Sequence, residues 1–113
     1  MKIKKWGVYW IDLKGVNHYS KGARPCLIIS DNKINSTSDC ITIIPLKTYR
    51  NNRLYENYDM VFNIKGVKNV SSYLSINNIY TIDKNKVGDY IGYMELNDTK
   101  NVKHLFKNTI MKG

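Results

Sequence analysis

Arg24 and Pro25 are the residues of this chain best suited to chemistry. A guanidinium is planar, permanently charged and forked, which matches two oxygens of a phosphate. Proline has no N–H for a ladder, so within sheets it takes the first position of a strand or an edge. The pair closes a polar, glycine-containing loop from Lys14 to Ala23 and leads into the apolar run Cys26-Leu27-Ile28-Ile29. Arg24 is therefore expected at a loop-to-strand junction, where it either grips an anion or pairs with a nearby carboxylate.

Other cations fall in loops: Lys14 and Lys21, then Lys47, Arg50 and Arg53, then Lys65 and Lys68. Eighteen Lys and Arg against nine Asp and Glu leave a net charge of +9 on 113 residues, an excess that favours a polyanionic partner. The charges are scattered, which suggests a folded binding surface and not a basic tail. Nine tyrosines and two tryptophans offer flat faces for unpaired bases, although most of them are expected in the core or on sheet faces. Two cysteines (Cys26, Cys40) and two distant histidines (His18, His104) assemble no metal set, so no metal or other cofactor is expected. Both cysteines lie in apolar strand-like segments and read as buried free thiols.

The elements that must position these groups are mostly strands. Residues 1–113 read as one domain, with 42% hydrophobic and 24% charged residues, ordinary for a globular chain. Apolar runs reach only four or five residues, too short for a membrane helix, and the basic start lacks a signal-like apolar region. A cytoplasmic protein without a membrane partner is the expectation. Strands are expected over Gly7 to Leu13, Pro25 to Ser30, Cys40 to Leu46 and Tyr58 to Ile64, the last with Met60, Phe62 and Ile64 on one face. The stretch 31–39 is a turn cluster with room for one helical turn, and Lys47 to Asn57 is a basic loop containing Tyr49 and Tyr55. Val70 to Thr81 carries one or two short strands, Asp83 to Asp89 turns, and Tyr90 to Met94 is a further strand. A C-terminal helix opens at Asn97 or Asp98 and aligns Val102, Leu105, Phe106 and Ile110 on one stripe. The pattern is mainly β: a partly closed barrel with one helix packed against it.

The order of these fragments resembles the MazF/PemK/Kid toxins of type II toxin–antitoxin systems. The resemblance rests on Gly7-Val8-Tyr9-Trp10-Ile11-Asp12-Leu13, on Gly22-Ala23-Arg24-Pro25 and on Cys26-Leu27-Ile28-Ile29-Ser30. It continues through Asp31-Asn32, Ile34-Asn35, Ile43-Ile44-Pro45-Leu46 and Ile79-Tyr80-Thr81-Ile82-Asp83-Lys84. It implies an SH3-like, partly open barrel shared with the CcdB gyrase poisons, a homodimer, and neutralisation by a small acidic antitoxin. It implies metal-independent cleavage of single-stranded RNA by 2′-hydroxyl attack, leaving a 2′,3′-cyclic phosphate and a 5′-hydroxyl. Such a step needs a base, an acid and a cation facing the phosphorane.

Arg24 matches the family's loop-end arginine and takes the cationic role. His18, six residues earlier, matches a histidine of the Kid branch and is the candidate base or acid. Where relatives carry a Ser or Thr two places after the equivalent of Pro45, this chain has Lys47, with Thr48 one place later. Either Thr48 substitutes at a bulged strand end, or Lys47 contacts the phosphate. Tyr19, Ser20, Lys21, Arg50, Arg53, Ser72, Asn77 and Asn78 complete the expected RNA-binding set. Ser75 and Asn77 stand where some relatives place charged groups, and amides cannot serve as an acid–base pair. A weak or inactive member of the same fold, binding RNA or a protein such as gyrase, is the alternative.

Overall fold

The computed structural model describes residues 2–16, 19 and 22–110. Eight strands and two α-helices follow one another as β1 (Gly7–Asp12), β2 (Ala23–Ile28), α1 (Asn32–Thr37), β3 (Cys40–Pro45), β4 (Lys47–Thr48), β5 (Asp59–Phe62), β6 (Ser72–Ser75), β7 (Tyr80–Asp83), β8 (Val87–Tyr93) and α2 (Leu96–Thr109). They form a five-stranded sheet, β7-β3-β2-β1-β8, and a three-stranded sheet, β4-β6-β5. All the pairings are antiparallel. The sheets meet where Lys65 and Tyr93 exchange backbone hydrogen bonds of 2.8 and 3.0 Å. The result is the partly open barrel expected from the sequence, not a closed one.

The long apolar runs of β1 to β3 have a direct cause: both faces of the larger sheet are covered. Val8, Leu27 and Ile44 face Phe62 and Leu74 of the smaller sheet and Val102 of α2. Their neighbours Tyr9, Ile11, Cys26, Ile28, Ile41 and Ile43 point the other way, into a second core. That core is closed by Ile3, Leu13, Val16 and Tyr19. Leu13, Val16 and Tyr19, which follow β1, thus cover this core, which matters for Arg24 below.

Several expectations need correction. β2 starts at Ala23, so Pro25 lies inside a strand, opposite Trp10. Its carbonyl accepts from Leu46 N–H at 2.8 Å, so its missing N–H faces the end of β3 and interrupts no bond with β1. Lys47 and Thr48, read as loop, form β4 by pairing with Tyr73 and Ser72. β8 begins three residues early because irregular register against β1 lets Val87 reach Ile11. Cys40 is exposed, since it is the first residue of β3; only Cys26 is a buried thiol.

α2 begins at Leu96, with Glu95 as its N-cap and no capping side chain, because the Glu95 carboxylate turns to Lys65 at 3.2 Å. On its stripe Val102 is buried and Leu105 and Phe106 half-buried, but Ile110 is exposed at the frayed end. The expected helical turn in 31–39 is present as α1. Asp31 caps it by accepting from Ile34 N–H at 2.9 Å, and Asn35, its one buried residue, donates to the Ser30 carbonyl at 2.9 Å.

Candidate active site

Arg24 is exposed at the second position of β2, opposite Ile11 of β1. Its guanidinium carbon lies 5.0 Å from the centre of the Tyr19 ring. Tyr19 in turn packs edge-on against Tyr80 of β7. Tyr19 is held by two backbone bonds: its N–H donates to the Val16 carbonyl at 2.9 Å, and its carbonyl accepts from Gly15 N–H at 3.0 Å. Burial, helped by Tyr80, pushes the Tyr19 phenol above its ordinary pKa, while Arg24 pulls the other way. Tyr19 therefore remains a neutral hydrogen-bonding phenol at physiological pH. Among the described residues the one ion pair is Lys65–Glu95, so no described carboxylate neutralises Arg24.

Leu46 N–H, held by the Pro25 carbonyl, keeps the chain beside β2 until it turns into β4. There Lys47 enters a polar cavity of about 350 Å3 together with Arg53, Asp59, Ser75, Asn77 and Asn78. The aromatic side chains of this cavity are Tyr55, Tyr58 and Tyr73. Tyr55 and Tyr58 stack with centroids 5.5 Å apart, and Arg53 lies 5.6 Å over Tyr55. The stack forms because 55–59 closes a turn: Asp59 N–H donates to the Tyr55 carbonyl at 2.8 Å, and Tyr55 N–H donates to the Asp59 carboxylate at 2.9 Å. Opposite it, a turn bonding Asn78 N–H to the Ser75 carbonyl at 3.0 Å presents the two asparagines, and the Ser75 hydroxyl bonds the Asn77 side chain. A cavity with two cations, one carboxylate acceptor, amides and a tyrosine stack can hold a phosphate beside an unpaired base.

The sequence-derived candidates separate accordingly. Arg24 and Tyr19 stand at one end of β2; Lys47, Arg53, Asn77 and Asn78 share a cavity that Arg24 does not line, linked to β2 by the pairing of Cys26 with Pro45. Thr48 and Arg50 are exposed but line no part of it, so of the two residues competing for the family hydroxyl position, Lys47 is the one that enters. Arg50 instead sits in a turn in which its N–H donates to Asn52 at 2.8 Å. Ser72, expected at the interface, is 6% exposed, between Thr48 and Phe62 in the register; its hydroxyl is withdrawn from the surface because its strand position faces the core. His18, Ser20 and Lys21 lie outside the described residues. The tyrosine stack and Asp59 were missed, although Arg53-x-Tyr55-x-x-Tyr58-Asp59 was visible as a basic, aromatic turn sequence.

Solved structures of the same fold cover nearly the whole chain. An endoribonuclease in complex with its cognate antitoxin, from a mycobacterial species, aligns with a TM-score of 0.77 at 23% identity, over 98% of this chain and 97% of that one. The Mycobacterium tuberculosis toxin MazF-mt6 aligns with a TM-score of 0.75 at 20% identity, over 95% and 98%. MazF from Deinococcus radiodurans aligns with a TM-score of 0.77 at 11% identity, over 99% of each. At these identities the likeness establishes the fold. No curated protein sequence matches the chain significantly. The family model described as PemK-like, MazF-like toxin of type II toxin-antitoxin system matches residues 4–110. That match spans most of the chain, which therefore belongs to the PemK/MazF toxin family.

Proposed function

We propose that this protein is an endoribonuclease toxin that cleaves single-stranded RNA and is neutralised by a small acidic antitoxin. The observation carrying this reading is Arg24: an exposed guanidinium, un-neutralised by any described carboxylate, on β2, whose Cys26 pairs with Pro45 of the Lys47 cavity. A strand of RNA seated in the cavity puts its backbone next to both cations. The 2′-hydroxyl gives its proton to a base and attacks the adjacent phosphorus, and the bond to the 5′-oxygen breaks as that oxygen is protonated. The products are a 2′,3′-cyclic phosphate and a 5′-hydroxyl. Arg24 and Lys47 meet the charge that grows on the phosphorane, and His18 is the group proposed to move the proton. Side chains carry every step, so cleavage proceeds in a chelator. The net charge of +9 supports both RNA and an acidic antitoxin as partners. Relatives described as complexes of MazF with MazE support the antitoxin. A homodimer acting in the cytoplasm completes the proposal.

Incubation with mixed single-stranded RNA in EDTA tests it. Discrete fragments ending in cyclic phosphate are expected. Arg24→Ala lowers the rate a few hundredfold or more, the ~3–4 kcal/mol of a preorganised donor. Lys47→Ala costs more than Thr48→Ala, since only Lys47 lines the cavity. A second reading is favoured by Asn77, which stands where a charged group assists relatives: the fold binds RNA or a protein such as gyrase and cuts nothing. Intact RNA with tight, salt-sensitive binding establishes that reading in place of the first.

A further inference from the structure

Asp59 is the one acidic residue in the lining of the Lys47 cavity. A carboxylate only accepts hydrogen bonds and a phosphodiester has none to give, so the two repel. Yet Asp59 shares this cavity with Lys47 and Arg53, and no ion pair joins it to either. Its Oδ2 accepts from Tyr55 N–H at 2.9 Å and closes the turn that carries the tyrosines. That bond fixes the carboxylate and leaves Oδ1 without a hydrogen-bond partner among the described residues.

The neighbouring strand completes the pattern. Asp59 of β5 pairs with Ser75 of β6, so their side chains share one face, with Cβ atoms about 5 Å apart. The Ser75 hydroxyl donates to the Asn77 side-chain oxygen. With that oxygen engaged, the NH2 group of Asn77 is left to donate. An acceptor, Asp59 Oδ1, and a donor, the Asn77 amide, are thus held near one another by strand register and two local bonds.

We propose that Asp59, with Asn77, selects the base that occupies this cavity: one with an exocyclic amino group next to an unprotonated ring nitrogen. The inference rests on RNA as the ligand of the cavity and says which RNA is preferred. The amino group donates to Asp59 Oδ1, and the ring nitrogen accepts from Asn77. Cytosine (N4 and N3), adenine (N6 and N1) and guanine (N2 and N3) all carry such a pair; uracil carries none. The one donor of uracil, N3–H, lies between two carbonyl oxygens, which brings like charge towards the carboxylate. Lys47 and Arg53 remain for the phosphates on either side. Closing the turn alone would need only Oδ2, so the free oxygen is what the selection uses.

Equilibrium binding tests it. Short, labelled 2′-O-methyl oligouridylates lack the attacking hydroxyl and stay intact. Each carries C, A or G at one central position and is compared with the all-U parent. At least one of the three is expected to bind about tenfold or more tightly than the parent, and the tightest names the base. Asp59→Asn keeps an oxygen for Tyr55 N–H and puts an amide donor in place of Oδ1. Circular dichroism should stay unchanged while the preference over uracil falls by about tenfold. Equal binding of all four oligomers, binding of none, or a preference that survives Asp59→Asn overturns the proposal. Selective binding without cleavage of RNA in EDTA keeps this inference and removes the proposed cleavage; cleavage with unselective binding does the reverse.

Discussion

Gly92→Ala tests how the two sheets are held together. Gly92 lies in β8, and a Cβ built on it falls 2.0 Å from the Lys65 carbonyl oxygen and 2.9 Å from the Ile64 side chain. The first of these is backbone and cannot rotate aside. The chain must separate at the Lys65–Tyr93 junction, whose two hydrogen bonds join the five-stranded sheet to the segment leaving β5. Two such bonds are worth about 1 kcal/mol each, and forcing a methyl into packed structure adds about 1–3 kcal/mol. The expected loss is therefore about 3–5 kcal/mol, or a fall in Tm of roughly 10–20 °C for a chain of this size. Gly88→Ala is the internal control: its nearest neighbour is the Trp10 carbonyl oxygen at 3.0 Å, so a small strand shift absorbs the change and the loss is smaller. Urea unfolding followed by circular dichroism measures both, with amide exchange at Lys65 and Tyr93 reporting the junction. A Gly92→Ala protein within about 0.5 kcal/mol of the parent, with those amides still protected, refutes the account of the junction. Activity should fall with stability, because Lys47 belongs to the smaller sheet and Arg24 to the larger, and the junction holds the two together.

Other measurements probe the buried polar groups. Asn35 is 2% exposed; it donates to the Ser30 carbonyl at 2.9 Å, and its side-chain oxygen accepts from the Ser30 hydroxyl at 2.5 Å. Asn35→Ala strands those Ser30 groups and is expected to cost about 1–3 kcal/mol in denaturant unfolding. The Cys26 thiol is pushed up to about 12 by burial, with Arg24 opposing weakly. The folded protein keeps this proton where an unfolded thiol has lost it, so this contribution to stability is complete below about pH 9 and disappears as pH rises towards 12. Cys26→Ala should flatten that part of the alkaline slope. Iodoacetamide at neutral pH should label Cys40 alone until the chain unfolds.

How much of this was legible in the residues depended on period and on turn chemistry. The strands around Val8, Leu27 and Ile43 announced themselves because two cores draw on alternate residues of one run. The partner of Pro25 was not legible, since only tertiary register shows that its missing N–H faces the end of β3. β4 was lost for a similar reason: two polar residues carry no period, and Tyr73 and Ser72 supply the pairing. At the site, Arg24 and Lys47 could be chosen from residue type and resemblance. The withdrawal of Ser72 and the stacking of Tyr55 on Tyr58 depend on side-chain direction, which spacing alone does not encode.

The contact between Arg24 and Tyr19 has a consequence for timing. An ion pair would immobilise the guanidinium by cancelling its charge, and an arriving oxyanion would first have to displace the counter-ion. An aromatic ring holds it by a different route, attracting the flat face of the cation without cancelling its charge. Among the described residues no carboxylate holds the guanidinium, so on the proposed function a phosphodiester meets it with no described ion pair to break.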